Sequence, residues 1–306
     1  MKLELVGYDR KNQTLKLPKI LSYQMHIGKR GSDIWFEFRF FENISNKLIK
    51  VDIYKENRKI YSCFVDKIER ISSDQGEYFS LKVRSFICRI WQNQVNPIEH
   101  KNYSILSMID KYCKPYGIFK TKFPKNVSLD SFYVELGMTA WDVLSIYCYK
   151  AFSAFSFINE NFEICGYYSP KEDIIFDNQH FKYINLIKCE DRSNIISRIN
   201  IKSNIGVSNF SECCDNIFAQ SLGISRERYY KPPKQWSVLP KRGASYLIDY
   251  GATKTHTYEV TVAEHMDIHP GMKIRLESTD CYAQEVDFSL DERGPLTKIK
   301  LFNNSF

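Results

Sequence analysis

Residues 33–41 read Asp-Ile-Trp-Phe-Glu-Phe-Arg-Phe-Phe, with Ile34, Phe36, Phe38 and Phe40 on one side and Glu37 and Arg39 on the other. A period of two with aromatic residues is the pattern of a half-buried strand. Wound into a helix, the same rings would scatter around the whole circumference. The pattern recurs on both sides of a turn near Glu56-Asn57: Ile49, Val51 and Ile53 lead in, and residues 60–68 return. A polar turn, Ser72-Ser73-Asp74-Gln75-Gly76, opens a run from Tyr78 to Phe86 in which Phe79, Leu81 and Val83 share a face. Strands at this spacing predict a small antiparallel barrel or sandwich over residues 1–95.

The period then changes. Ile105, Met108, Ile109 and Tyr112 form a helical stripe within residues 104–114, stopped by Pro115 and Gly117. A second helix starts at Thr139, where Asp142 completes a capping-box pattern and Trp141, Leu144, Cys148 and Ala151 line one face. Two short strands, 154–158 and 162–166, meet at Asn159-Glu160-Asn161. Residues 96–185 are therefore predicted to form a compact α/β unit with two helices. Strand patterns return at 195–203, 257–263, 272–277, 282–290 and 296–302, predicting a second antiparallel barrel over 186–306. A segment at 206–250 interrupts it and reads as a long inserted loop, a length usually kept for function or partner contact. The fold class is α+β, mainly β, with two antiparallel barrels flanking a small α/β domain.

Composition narrows the classes. The chain has 306 residues, enough for two or three domains at about 150 residues each. With 21 Phe, 20 Tyr and 4 Trp it has the material for a core in each, which excludes disorder as a whole-chain state. A net charge of +7 permits an acidic partner without demanding one. The nine cysteines are odd in number and contain no CxxC, which suits reduced thiols in a cytosolic assembly compartment better than a secreted disulfide framework. No apolar run approaches the ~18–20 residues of a membrane span, and no targeting segment is expected.

The order of segments resembles a known family. The residues that carry it are Phe64-Val-Asp66, Ser80-Leu-Lys-Val-Arg84-Ser85, the helix ending Lys114-Pro-Tyr-Gly-Ile118, the helix start Gly137-Met-Thr-Ala-Trp-Asp-Val-Leu144, the Asn-turn hairpin, and Asp191-Arg-Ser-Asn-Ile-Ile-Ser197. Together they are similar to the baseplate hub proteins of contractile-tailed phages and phage-tail-like particles. That family includes the Mu-like tail protein and the hub portion of VgrG. The resemblance implies two tube-type barrels per chain and a homotrimer forming a pseudo-sixfold ring. This ring would join a hexameric tail tube protein to a trimeric spike protein, here expected to be a separate chain. Tape-measure and baseplate wedge proteins are further implied partners. Nucleic acid would enter only by passage through the lumen. The implied place is a tail or tail-like particle assembled in the bacterial cytoplasm.

Candidate chemistry is sparse. His265 and His269 stand four apart, but between strands and before Pro270-Gly271, which reads as a solvated connection and not a metal site. Cys213-Cys214 has no ligand cluster at metal spacing. Glu285, Asp287, Asp291 and Glu292 read as a solvent-facing strand and turn rather than paired catalytic carboxylates. Gly28-Lys-Arg-Gly31-Ser-Asp33 precedes a strand, so it reads as a hairpin and lacks the helix a phosphate cradle needs. No catalytic set, metal or cofactor is expected. The segment around the insert interleaves charge and rings: Arg226, Arg228, Tyr229, Tyr230, Lys231, Lys234, Trp236, Lys241 and Arg242. Docking on a neighbouring subunit or the tube protein is the expected use, with single-stranded nucleic acid as an alternative. The reading is a structural hub. Its rivals are a tail-associated cell-wall hydrolase and a nucleic-acid-binding β-barrel protein.

Overall fold

Apolar–polar alternation sets the first seven strands: β1 (Leu3–Tyr8), β2 (Thr14–Leu15), β3 (Ser22–Gly28), β4 (Asp33–Phe40), β5 (Lys50–Lys55), β6 (Arg58–Ser73) and β7 (Gly76–Ser85). The computed structural model describes residues 3–73, 76–177, 179–202, 209–231 and 240–303. Ile34, Phe36, Phe38 and Phe40 all point into the core from β4, as the alternation predicts. The turn between β5 and β6 has φ of 51° at Glu56 and 63° at Asn57, the left-handed pair that matches the twist of a two-residue hairpin. The 3₁₀ turn Lys29–Gly31 joins β3 to β4. Gly31 has φ of 88° and lies so close to the Ile158 carbonyl that a Cβ would collide with it.

The middle segment comprises α1 (Arg89–Gln92), β8 (Ile98–Ser104), α2 (Ile105–Met108), β9 (Lys120–Thr121), β10 (Ser128–Val134), α3 (Ala140–Phe152), β11 (Phe157–Ile158), β12 (Glu163–Cys165) and β13 (Ile175–Phe176). The helix predicted at 104–114 starts as α2, widens into a π turn over Ile109–Cys113 and closes at Gly117, whose φ is 87°. The predicted capping box opens α3. Thr139 Oγ1 accepts from the Asp142 N–H at 3.1 Å, and the Asp142 carboxylate accepts from the Thr139 N–H at 2.9 Å.

The remaining elements are β14 (Asn185–Glu190), β15 (Arg198–Ile201), β16 (Glu212–Asp215), α4 (Ile217–Ser221), β17 (Glu227–Tyr230), α5 (Pro240–Ala252), β18 (His256–Val262), β19 (Lys273–Leu276), β20 (Thr279–Asp291) and β21 (Gly294–Phe302). Two expectations are corrected here. The strand expected at 195–203 does not open the C-terminal sheet. It is β15, the centre of a separate three-stranded sheet β16-β15-β17. The strand that does open it is β14, which falls at the start of 186–306, where the apolar–polar pattern predicts no strand. The inserted segment is also not a plain loop, since β16, α4, β17 and most of α5 lie within it. Ile199 and Ile201 are fully buried with Ala244 of α5, so this small layer has its own core.

The large sheet has the order β14-β18-β21-β20-β3-β4-β7-β6-β5-β1-β2, with β19 on β20 and β13 on β19. The two β units therefore join edge to edge, β20 against β3, in one sheet. Each unit repeats one topology. In the N-terminal unit β3, β4, β7 and β6 lie side by side, and β5 pairs with the first half of β6. In the C-terminal unit β14, β18, β21 and β20 lie side by side, and β19 pairs with the first part of β20. Even the bulge recurs, between Val65 and Lys67 opposite β7 and between Ala283 and Glu285 opposite β21. A bulge bends its strand, which is what lets each long strand serve two layers.

Candidate assembly interface

The residues singled out near the insert divide into struts and surface. Arg226 donates from Nη1 to the carbonyls of Arg192 at 3.0 Å and Ile195 at 2.5 Å, fixing the chain between β14 and β15. Arg242 donates to the Lys150 carbonyl and, at 2.8 Å, to Ser153 Oγ, so a cation sits at the C-terminus of α3, where the helix dipole favours it. Burial, and the charge of Arg242 after it, pull the Lys150 ammonium down to about 8. Tyr230 is packed under α5 beside Gly243. These three side chains hold the insert in place.

The others face outward. Tyr229 is 70% exposed, with its ring edge-on to Phe210 at 5.1 Å. Arg228 donates to the Glu227 carbonyl at 3.1 Å, Lys231 is exposed, and Lys241 lies 3.8 Å from Glu212. Lys234 and Trp236 lie outside the described residues. Arg228, Tyr229 and Lys231 thus form one small basic–aromatic strip at the end of β17, while Lys241 stands on α5.

The remaining candidates also have their places. His265 and His269 lie in a connection between β18 and β19, but it is not solvated as expected. His269 is buried, and Met266 and Ile268 beside it are core residues. Its apolar neighbours draw the connection inward, and burial pushes both imidazoles below their ordinary value. Cys213 and Cys214 sit on β16 with free thiols. Glu285 lies 3.7 Å from Lys300, and Asp291 is paired with Arg293 at 2.7 Å. Asp287 accepts from His26 Nδ1 at 2.7 Å across the β20–β3 joint. Burial opposes a charge on His26, but the hydrogen bond and charge of Asp287, with Asp33 and Glu285, raise its pKa overall. Among the described residues no group of three His, Cys, Asp or Glu side chains could hold a metal ion. No described helix is long and apolar enough to cross a membrane.

The features with most capacity for association were missed at the sequence level: two open sheet edges. Among the described residues β14 pairs only with β18, and β6 beyond Val65 pairs only with β7. Ile184 beside β14 is 63% exposed and Ile187 on it is 47% exposed. An edge strand presents a row of N–H and C=O groups ready to pair with another chain. The signal was present in Leu186-Ile187. It was masked because β14's hydrogen-bonding partner β18 lies far along the chain, beyond the whole insert.

No protein-family model matches the chain, and no curated protein matches it. Solved structures do. A 43 kDa tail protein of prophage MuSo2 from Shewanella oneidensis superposes with a TM-score of 0.74 at 11% identity, over 99% of this chain and 99% of that one. A tail protein from Neisseria meningitidis gives 0.74 at 13% identity, over 99% and 97%. An Escherichia coli component of the type VI secretion system, described as structurally similar to the T4 bacteriophage tail proteins gp27 and gp5, gives 0.59 at 8% identity, over 99% and 77%. The likeness is one of fold, and it covers essentially the whole chain.

Proposed function

We propose that this chain is a structural baseplate hub of a contractile tail or related injection particle. Three copies form a pseudo-sixfold ring that joins a hexameric tail tube to a trimeric central spike. The observation that supports this best is the repeated topology: one chain carries two β units of the same strand order, fused side by side in one sheet. Three such chains present six similar units to a sixfold tube while keeping threefold symmetry for a spike. A ring closed by rotation uses each unit's edges without open-ended growth. Interfaces of this obligate kind bury upwards of about 2,000 Å² and use aromatic anchors, which 21 Phe and 20 Tyr can supply.

The whole-chain likeness in fold to prophage tail proteins supports the same reading. The role is assembly in the bacterial cytoplasm into a tail baseplate, and it asks for no catalysed reaction. Tape-measure and wedge proteins are further partners, and any nucleic acid passes only through the ring's lumen. The strip Arg228-Tyr229-Lys231, with Lys234, Trp236 and Lys241, is the docking patch for a neighbouring subunit or the tube protein. The test is native mass measurement of the protein alone and mixed with its neighbouring gene products. A trimer that captures a trimeric spike protein is the expected result. A protein that stays monomeric at micromolar concentration and captures neither spike nor tube overturns the proposal.

A further inference from the structure

We propose that neighbouring copies join by antiparallel strand pairing between the second half of β6 of one copy and β14 of the next, in a register that sets Glu69 opposite Cys189. This deepens the hub reading and rests on it. The seam follows from the joint already built into the chain. In order of topology β20 is to the C-terminal unit what β6 is to the N-terminal unit, and β3 corresponds to β14. Since β20 pairs with β3 inside the chain, the equivalent pairing between chains is β6 with β14.

Both strands are open on the side this needs. The directions also agree. The row from β14 to β6 contains eight strands, each antiparallel to the next, so its two ends run oppositely and a second copy continues the alternation.

The register comes from the ladders. Across the N-terminal unit Val65, Val83, Phe36 and Met25 stand in one line of pairs. Across the C-terminal unit, starting at the same side of the shared bulge, the line is Ala283, Leu301, Tyr258 and Lys188. One step along from Met25 is His26, and one step from Lys188 is Cys189. Four steps along from Ala283 is Asp287, and four steps from Val65 is Glu69. Inside the chain His26 and Asp287 are paired and their side chains touch at 2.7 Å. At the seam Cys189 and Glu69 take those places, with Ile187 opposite Ile71. Arg70 falls opposite Lys188, each already paired with a carboxylate of its own chain, Glu77 and Glu277. Pairing places Ile187 against Ile71 and satisfies two rows of backbone groups.

Directly opposed residues hold their Cβ atoms about 4.5–5.5 Å apart, close to disulfide reach. The test is therefore Glu69→Cys in the full chain, oxidised under mild conditions and run on a non-reducing gel. The expected result is covalent dimer and closed trimer as the main species, lost when Cys189→Ser is added. A stable trimer by native mass without cross-linking, or with cross-linking that survives Cys189→Ser, overturns the seam and leaves the hub reading standing. A monomer that captures no partner overturns the hub reading first. Should the variant misfold, hydrogen exchange on the wild-type trimer decides. Protection of the amides of residues 68–72 and 186–190 relative to diluted monomer supports the seam, and exchange as fast as in the monomer overturns it.

Discussion

The two β units share a strand order but differ in how they treat the same edge. In the N-terminal unit the edge strand β3 is covered by β20, and Tyr23, Met25 and Ile27 are buried along it. In the C-terminal unit the counterpart β14 lies open, and the matching positions are Leu186, Lys188 and Glu190. An edge covered within the chain can be apolar, whereas charge on an open edge guards against unwanted pairing. The connections differ as well. Four residues, Lys29 to Ser32, take β3 to β4, whereas β15, β16, β17, α4 and α5 all intervene between β14 and β18. The two units thus share a topology and differ in their edges and connections.

The two units should differ most in their cores. Phe38→Ala should cost about 3–5 kcal/mol of stability in denaturant unfolding, since Phe38 is fully buried between Phe36, Phe40 and Tyr23. Its counterpart Val260 is equally buried but smaller, and Val260→Ala should cost about 2 kcal/mol. Equal losses at the two sites would mean that the C-terminal core is the more tightly packed around this position.

The insert, which only one unit carries, offers a second probe. A Cβ at Gly251 would lie 2.6 Å from the Asn194 carbonyl oxygen, so Gly251→Ala should push α5 off the chain before β15 and cost about 1–3 kcal/mol. Local hydrogen exchange should rise in 195–201 and 240–252 and stay unchanged in the N-terminal unit. A rise there as well would mean the insert supports both units.

The intrachain joint has a pH signature. His26 has a raised pKa in the folded chain, so its contribution is fully present below its unfolded value of about 6.5 and is lost as pH rises through the folded value. The effect should be under about 1 kcal/mol because Asp287 is half exposed. Stability measured against pH should lose this component in Asp287→Asn. A slope unchanged by the substitution would detach His26 from the joint.

The smallest effect is expected at the open edge. Ile187→Ser should change the stability of the monomer by no more than about 0.5 kcal/mol. A larger loss would mean that β14 is already covered within the chain.

Legibility followed how local the cause was. β4 and the cap of α3 are set by residues next to one another: four alternating aromatics or aliphatics in one case, Thr139 and Asp142 in the other. Both were readable. The strand at 195–203 has the same alternation as a barrel strand, and nothing in its own residues tells which sheet it joins. Among the candidate site residues, Arg226, Arg228, Tyr229, Tyr230, Lys231, Lys241 and Arg242 read alike as a basic–aromatic stretch. Only packing separates Arg242, held by Lys150 and Ser153, from Tyr229, which is open to solvent.

By itself, then, the order of amino acids determined where the chain extends, where it coils and which faces turn inward, because those depend on neighbours within a few residues. Long-range packing sets that β20 meets β3, that β14 and not β15 starts the second unit, and that β14 and the second half of β6 are each paired on one side only among the described residues. Strand pairing is made by backbone groups common to every residue, so the sequence marks a strand without naming its partner.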